Sequence, residues 1–235
     1  MASTRHPVDS RTRPGRGPSV ESRPRPGRGP SAPLAESVPR MRAGQLHEAL
    51  ALIDELPPAV ARAVRERYNP RYLKEIAQST RLTWIPIEYG IEMAVAYHAV
   101  LGEKDTFNWG RATMLRVTSR PWIRSLRDTA VRIFGLTPRG LYRFAPRFWD
   151  AVYANSGELV CVSRGEGAVT LVLNNIPKVM LAAPGHLTTV SGAFAAALEF
   201  CEVRGDVWMR PIATGDNRCT FDIIWSERKT ATASQ

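Results

Sequence analysis

Through its first half, the part of this chain that carries large apolar side chains reads as helix. Leu46, Ala49, Leu50, Ile53 and Leu56 recur at the three- and four-residue spacing of one helical face. Pro57-Pro58 ends that segment and starts a second, which runs through Val60 and Val64 to about Arg67. Asn69-Pro70 is an N-cap followed by proline at the first helical position, and it opens a third. Ile87, Ile91, Ala94, Val95 and Leu101 form the face of a fourth, closed by Gly102, and a fifth runs from Asp105 to about Val117. Pro121 starts a sixth, with Ile123, Leu126, Ala130, Ile133 and Phe134 facing inward and Gly135 as its stop. Thr137-Pro138 caps a seventh, which carries Leu141 and Phe144 and ends before Pro146.

Beyond that point the period changes. Glu158–Ser163 and Ala168–Leu173 are short β-prone runs joined by Arg164-Gly165-Glu166-Gly167, a hairpin loop. Val169–Leu173 is apolar at nearly every position, which predicts a central strand covered by helices on both faces. Val190, Phe194, Ala197, Leu198 and Cys201 return to helical spacing, with Arg204-Gly205 as the stop. Asp206–Ile212 is a further strand. Cys219, Phe221, Ile223 and Trp225 alternate with Arg218, Thr220, Asp222 and Ile224, as in a half-buried strand. A helical block followed by a hairpin, one long helix and a second hairpin predicts an α+β fold, with a small antiparallel sheet packed on helices.

Composition divides the chain into three. Residues 1–40 hold eight of the 18 prolines and eight arginines, and repeat Arg13-Pro14-Gly15-Arg16-Gly17-Pro18-Ser19 as Arg25-Pro26-Gly27-Arg28-Gly29-Pro30-Ser31. So few apolar side chains cannot offset chain entropy, so a disordered basic tail is expected there. A single domain is expected over residues 41–227, and a disordered C-terminus over 228–235. The net charge is +10, of which the tail supplies about half, so the domain itself is only mildly basic. Nucleic acid or an anionic membrane surface is therefore expected to bind only through the tail. No apolar run approaches the ~18 residues of a transmembrane helix, and no apolar signal segment opens the chain. Three cysteines, an odd and small number, suit a reducing cytoplasm.

The chain has no GxGxxG, GxxxxGK[ST], HExxH or GxSxG pattern, so an enzyme is not the favoured expectation. His6 lies in the tail and His47 is expected on an exposed turn. His98 shares a helical face with Ile91, Ala94 and Val95, and His186 is expected in a loop after Pro184. A buried imidazole at His98 suits a hydrogen-bonded core residue or a metal or haem ligand. Cys161, Cys201 and Cys219 read either as small buried hydrophobes or as candidate metal ligands. Trp109 and Trp122 belong to helices with more than one apolar face, which suggests a partner interface or a homodimer.

Four stretches resemble one superfamily. They are Leu141-Tyr142-Arg143-Phe144-Ala145-Pro146-Arg147-Phe148-Trp149, Ser191-Gly192-Ala193-Phe194, Cys201-Glu202-Val203-Arg204-Gly205, and Arg218-Cys219 through Trp225. Together with the element order from about Leu52 to Trp225, they are similar to the fold shared by 4-vinyl reductase domains, haem nitric-oxide-binding domains and small subunits of transport-protein-particle tethering complexes. The likeness is greatest to an uncharacterised myxobacterial paralogous family. It implies a domain that binds a small apolar ligand or a protein partner, in signalling or regulation, with no cofactor expected. By the 4-vinyl reductase likeness, Cys201 and Cys219 stand where metal ligands are suspected, which keeps open a tetrapyrrole-reductase-like enzyme or accessory protein. The haem branch grips its propionates with Tyr-x-Ser-x-Arg, but here Tyr153-Ala154-Asn155-Ser156 has the wrong spacing. The tethering-complex likeness implies room for an acyl chain beside Ala195, Ala196 and Ala197, residues that would equally allow close helix packing.

Overall fold

The computed structural model describes residues 38–213 and 215–226, apart from the side chains of Trp122 and Phe134. The expected tail and C-terminal segment lie outside them, save for three tail residues from Val38. The chain divides into two units, residues 1–36 and 37–235, and every described residue belongs to the second.

Its elements in chain order are β1 (Arg40–Arg42), α1 (Ala43–Asp54), α2 (Pro58–Glu66), α3 (Pro70–Gln78), β2 (Trp84–Pro86), α4 (Glu88–Ser119), α5 (Pro121–Phe134), α6 (Pro138–Val152), β3 (Tyr153–Ala154), β4 (Glu158–Ser163), β5 (Ala168–Asn174), α7 (Lys178–Leu181), α8 (Pro184–Phe200), β6 (Gly205–Met209) and β7 (Cys219–Trp225). This is the α+β architecture expected. Several starts follow from the punctuation in the sequence. The Asn69 side chain accepts from the Arg71 amide, and the Thr137 hydroxyl accepts from the Gly140 amide. The two helices expected on either side of Gly102 form one element bent there, where Gly102 has φ 80° and ψ −178°.

Three expectations are corrected. Pro146 does not end α6, which continues to Val152. Proline removes one backbone hydrogen bond, yet Tyr142 and Phe144 before it and Trp149 and Val152 after it are all buried, and that packing holds the helix together. The inward stripe expected on α5 is partial: Ile123 and Ala130 are buried, but Ile133 is 55% exposed. Val95 likewise faces outward on α4.

The principal sheet is antiparallel, in the order β4-β5-β7-β6. Its register places Cys161, Leu171, Phe221 and Met209 in one row, with Val169, Ile223 and Val207 in the next. This face packs on α6 and α8. Leu171, Phe221 and Ile223 are fully buried in it, each contributing about 1.5–3 kcal/mol. The expectation that β5 would be covered on both faces fails. The opposite face carries Val160, Val162, Trp208 and Ile224, all of them exposed. β5 reads as nearly all apolar because Val172 lies on that open side, paired with Val160 and Thr220, beside Thr170, whose hydroxyl donates to Asp222 Oδ1 at 2.7 Å.

A second, three-stranded sheet in the order β2-β1-β3 ties the N-terminal segment to the end of α6. Its strands are two or three residues long and show no alternation to read. Above it, the buried carboxylate of Glu48 on α1 pairs with Arg81 and, at 2.7 Å, with Arg120 at the end of α4. Burial alone would raise the Glu48 carboxyl, but the hydrogen bonds and charges of Arg120 and Arg81 outweigh it and hold it below its ordinary value.

The central packing event is the crossing of α8 over the second half of α4. A Cβ on Gly192 would lie 1.9 Å from the carbonyl oxygen of Phe107, and one on Gly110 would lie 2.2 Å from that of Thr189. Glycine at these two positions lets the helix backbones touch.

Candidate functional site

Next to that glycine seam the helices diverge, and a cavity of about 120 Å³ remains. Met114, Leu115 and Thr118 of α4, Ala130 of α5, Leu141, Phe144, Ala145, Phe148 and Trp149 of α6, and Val190, Ala193, Phe194, Ala196 and Ala197 of α8 form most of its wall. The shape follows from the sequence. On α8 half of the residues facing it, Ala193, Ala196 and Ala197, are alanines too short to close the gap, and α6 presents large rings that cannot fold into it. The polar ends of those rings are taken up elsewhere: the Tyr142 hydroxyl donates to the Phe194 carbonyl at 2.9 Å, and Trp149 Nε1 donates to that of Gly157 at 3.2 Å. What faces the cavity is therefore carbon. Arg127 is the sole charged residue among the described lining residues, and its guanidinium is engaged by Asp128 and by the Thr118 carbonyl.

A smaller cavity of about 50 Å³ adjoins it, sharing Met114, Tyr153, Val190 and Ala193 as a common wall. Gln45, Trp109, Thr113, His186 and Thr189 complete much of its lining. Two buried polar atoms there, His186 Nε2 and Thr113 Oγ1, have no hydrogen-bond partner. His186, expected in a loop, instead lies in the first turn of α8 and is only 3% exposed. Burial pushes its imidazole down to about 4, so it is neutral at physiological pH. The Tyr153 phenol, raised by burial, is hydrogen-bonded to Gln45.

The residues singled out from the sequence are dispersed. Cys161 lies on β4 and Cys219 on β7, with β5 between them, so their strands are about 9.5 Å apart, too far for two thiolates to share one metal ion. Cys201 caps the end of α8. The described residues contain no group of three or more His, Cys, Asp or Glu that could hold a metal. Burial pushes the thiols up, to about 11 at Cys201 and about 12 at Cys219. Cys219 is buried, whereas Cys161 and Cys201 are half-buried. Trp109 stacks on Tyr97 with ring centroids 4.5 Å apart and donates from Nε1 to the Ala49 carbonyl at 3.2 Å. Its second apolar face is thus covered by α1 of its own chain. The Trp122 side chain lies outside the described set. His47, expected to be exposed, is half-buried with Nε2 3.1 Å from the Ser79 carbonyl. His98 is half-buried near Thr106, with Gly185 packed against it. Of the three alanines noted for room or packing, Ala196 and Ala197 line the larger cavity and Ala195 an outer groove with Trp208.

No family model and no curated protein matches the sequence. Solved structures do match in fold. One is the Fe(II) unliganded H-NOX protein from K. algicida, at 10% identity and a TM-score of 0.54, covering 80% of this chain and 98% of that one. Another is an oxygen-binding H-NOX domain related to soluble guanylate cyclases, at 11% identity and a TM-score of 0.52, covering 80% of this chain and 96% of that one. At such identities the likeness is one of fold.

Haem is the group to test against this arrangement, and the residues present do not fit it. The larger cavity is lined by neither histidine nor cysteine, and the Tyr142 hydroxyl is already bonded to backbone. At about 120 Å³, it is comparable to a protein cavity of roughly 150 Å³ that accepts benzene, far short of a porphyrin. The imidazole with a free nitrogen, His186, opens onto the smaller cavity instead.

Proposed function

We propose that this chain is a non-catalytic small-molecule-binding domain used in signalling or regulation, and that its ligand is a compact apolar molecule held between α4, α5, α6 and α8. The observation that carries the reading is the larger cavity and the chemistry of its wall. An empty cavity costs roughly 24 cal/mol per Å³, or about 3 kcal/mol for the ~120 Å³ here. Water gains little in such a space because nearly every polar atom of the wall is already paired. An apolar guest recovers the lost contacts and keeps its own carbon out of water.

Two features support this. Small-molecule binding is what the matched oxygen-binding H-NOX domain is named for, and the sequence lacks the patterns of common catalytic sites. The tetrapyrrole-reductase-like alternative would use Cys201 and Cys219, which lie at the end of α8 and on β7, and the described residues contain no group of three or more His, Cys, Asp or Glu that could hold a metal. Membership of the 4-vinyl reductase or myxobacterial branch remains a part of the proposal that rests on sequence resemblance, whereas a protein partner or homodimer rests also on the apolar faces at Trp109 and Trp122, of which Trp109 is buried within its own chain. No helix among the described residues is long and apolar enough to cross a membrane.

Native mass spectrometry of the protein recovered from its own host tests the reading. The expected result is a small apolar adduct, released on unfolding and absent from Ala197→Leu, whose added carbons enter the cavity. Adduct-free protein that also takes up no added aromatic hydrocarbon would overturn it.

A further inference from the structure

The larger cavity explains where an apolar body would lie, but it leaves the smaller one unexplained. The smaller cavity has the opposite character. Buried and half-buried residues line it, yet two buried polar atoms on its wall lack partners: Nε2 of His186 and Oγ1 of Thr113. A threonine inside a helix ordinarily bonds back to the carbonyl of the preceding turn, as Thr189 does to Gly185 at 2.9 Å. Thr113 does not. Leaving a buried donor or acceptor unpaired costs about 1–3 kcal/mol, and two such atoms beside one void call for a common partner. The other polar groups there are already satisfied: Trp109 by the Ala49 carbonyl, and Gln45 and Tyr153 by each other.

We propose that the smaller cavity seats the polar end of the ligand, a neutral hydroxyl or carbonyl oxygen hydrogen-bonded to both His186 and Thr113, while its apolar body fills the larger cavity. This rests on the reading of the larger cavity as the ligand site. The partition between the two supports it. Met114, Tyr153, Val190 and Ala193 line both cavities, and Met114 is unbranched and able to swing aside. Neutrality follows from the surroundings. No charged side chain lines the smaller cavity among the described residues, so an ionised head would be buried without a counter-charge. A hydroxyl or carbonyl carries no such penalty and satisfies atoms that the fold leaves open. The ligand class is therefore a small amphiphile with an aromatic or branched aliphatic body and one uncharged oxygen.

The test uses two probes with the same number of non-hydrogen atoms, 2-phenylethanol and propylbenzene, titrated into the full chain and followed by NMR. In the wild type, 2-phenylethanol shifts the His186 ring resonances and propylbenzene does not. His186→Leu and Thr113→Val, the second nearly isosteric and chosen in case the first disturbs folding, each weaken 2-phenylethanol binding about 3- to 10-fold, the worth of one net hydrogen bond. Propylbenzene affinity stays unchanged. If both probes bind the wild type and neither variant discriminates between them, the polar seat is wrong and the two atoms are served by ordered water. The apolar site survives that result. If neither probe binds the wild type, the apolar site falls and the polar seat falls with it.

Discussion

Two stretches of the α4–α8 contact, side by side along α8, use small residues to opposite ends. At Gly192 and Gly110 the backbones touch, and there is no space for even one carbon more. Beginning at the next residue of α8, Ala193, Ala196 and Ala197 face the rings of α6 across an unfilled gap. Glycine brings helices together only where the opposing surface is backbone. Alanine opposite a rigid aromatic surface leaves a void, because neither side can extend. The seam fixes the helix axes, so the void cannot collapse without breaking the seam.

The largest effect is expected from breaking the seam. Gly192→Ala directs a methyl into the Phe107 carbonyl, a backbone group with no rotamer to retreat into. It should cost about 3 kcal/mol, the upper end for overpacking, and lower the melting temperature by several degrees in a calorimetric scan.

Acid should act next most strongly, through the smaller cavity. His186 has a folded-state pKa of about 4 against an ordinary 6.5, so the unfolded chain takes up the proton first. Stability is complete above pH 6.5 and falls as pH drops towards 4, by about 2 kcal/mol between pH 7 and pH 5. No charged residue among the described ones lines that cavity to offset the effect. Denaturant unfolding at the two pH values checks it, and His186→Gln should flatten the slope.

Filling the void should do the reverse of crowding the seam. Ala197→Leu adds carbon where space exists and is expected to stabilise by about 1 kcal/mol in the same unfolding assay, with ligand binding lost. The smallest effect belongs to the open sheet face. Val162→Thr there should change stability by no more than about 0.5 kcal/mol, since Val162 is 45% exposed.

The contrast also marks what a sequence conveys. Helix starts at Asn69-Pro70 and Thr137-Pro138, the interruption of helix at Gly102 and the alternation from Cys219 to Trp225 are local, and each was readable from a few adjacent residues, although Gly102 was read as a helix end and is a bend within one element. The run at Val169–Leu173 correctly marked a central strand. The solvent on its far side is a tertiary fact that no single strand records. Pro146 misleads because packing on both sides of it outweighs one missing hydrogen bond. The site itself was half legible. Ala196 and Ala197 stood out as small, but the seam and the void look alike in a run of glycine and alanine until the facing residues are known. His186 was obscured by Pro184-Gly185, which reads as a loop yet opens a helix.

Uptake of an apolar molecule by the larger cavity is tested most directly by methyl-resolved NMR during a titration with propylbenzene. The predicted result is a saturable shift with a dissociation constant at or below about 1 mM, confined to methyls of Met114, Leu115, Leu141 and Val190, and lost in Ala197→Leu. Shifts that never saturate, or that appear instead on Val160, Val162 and Ile224 of the open sheet face, would contradict it.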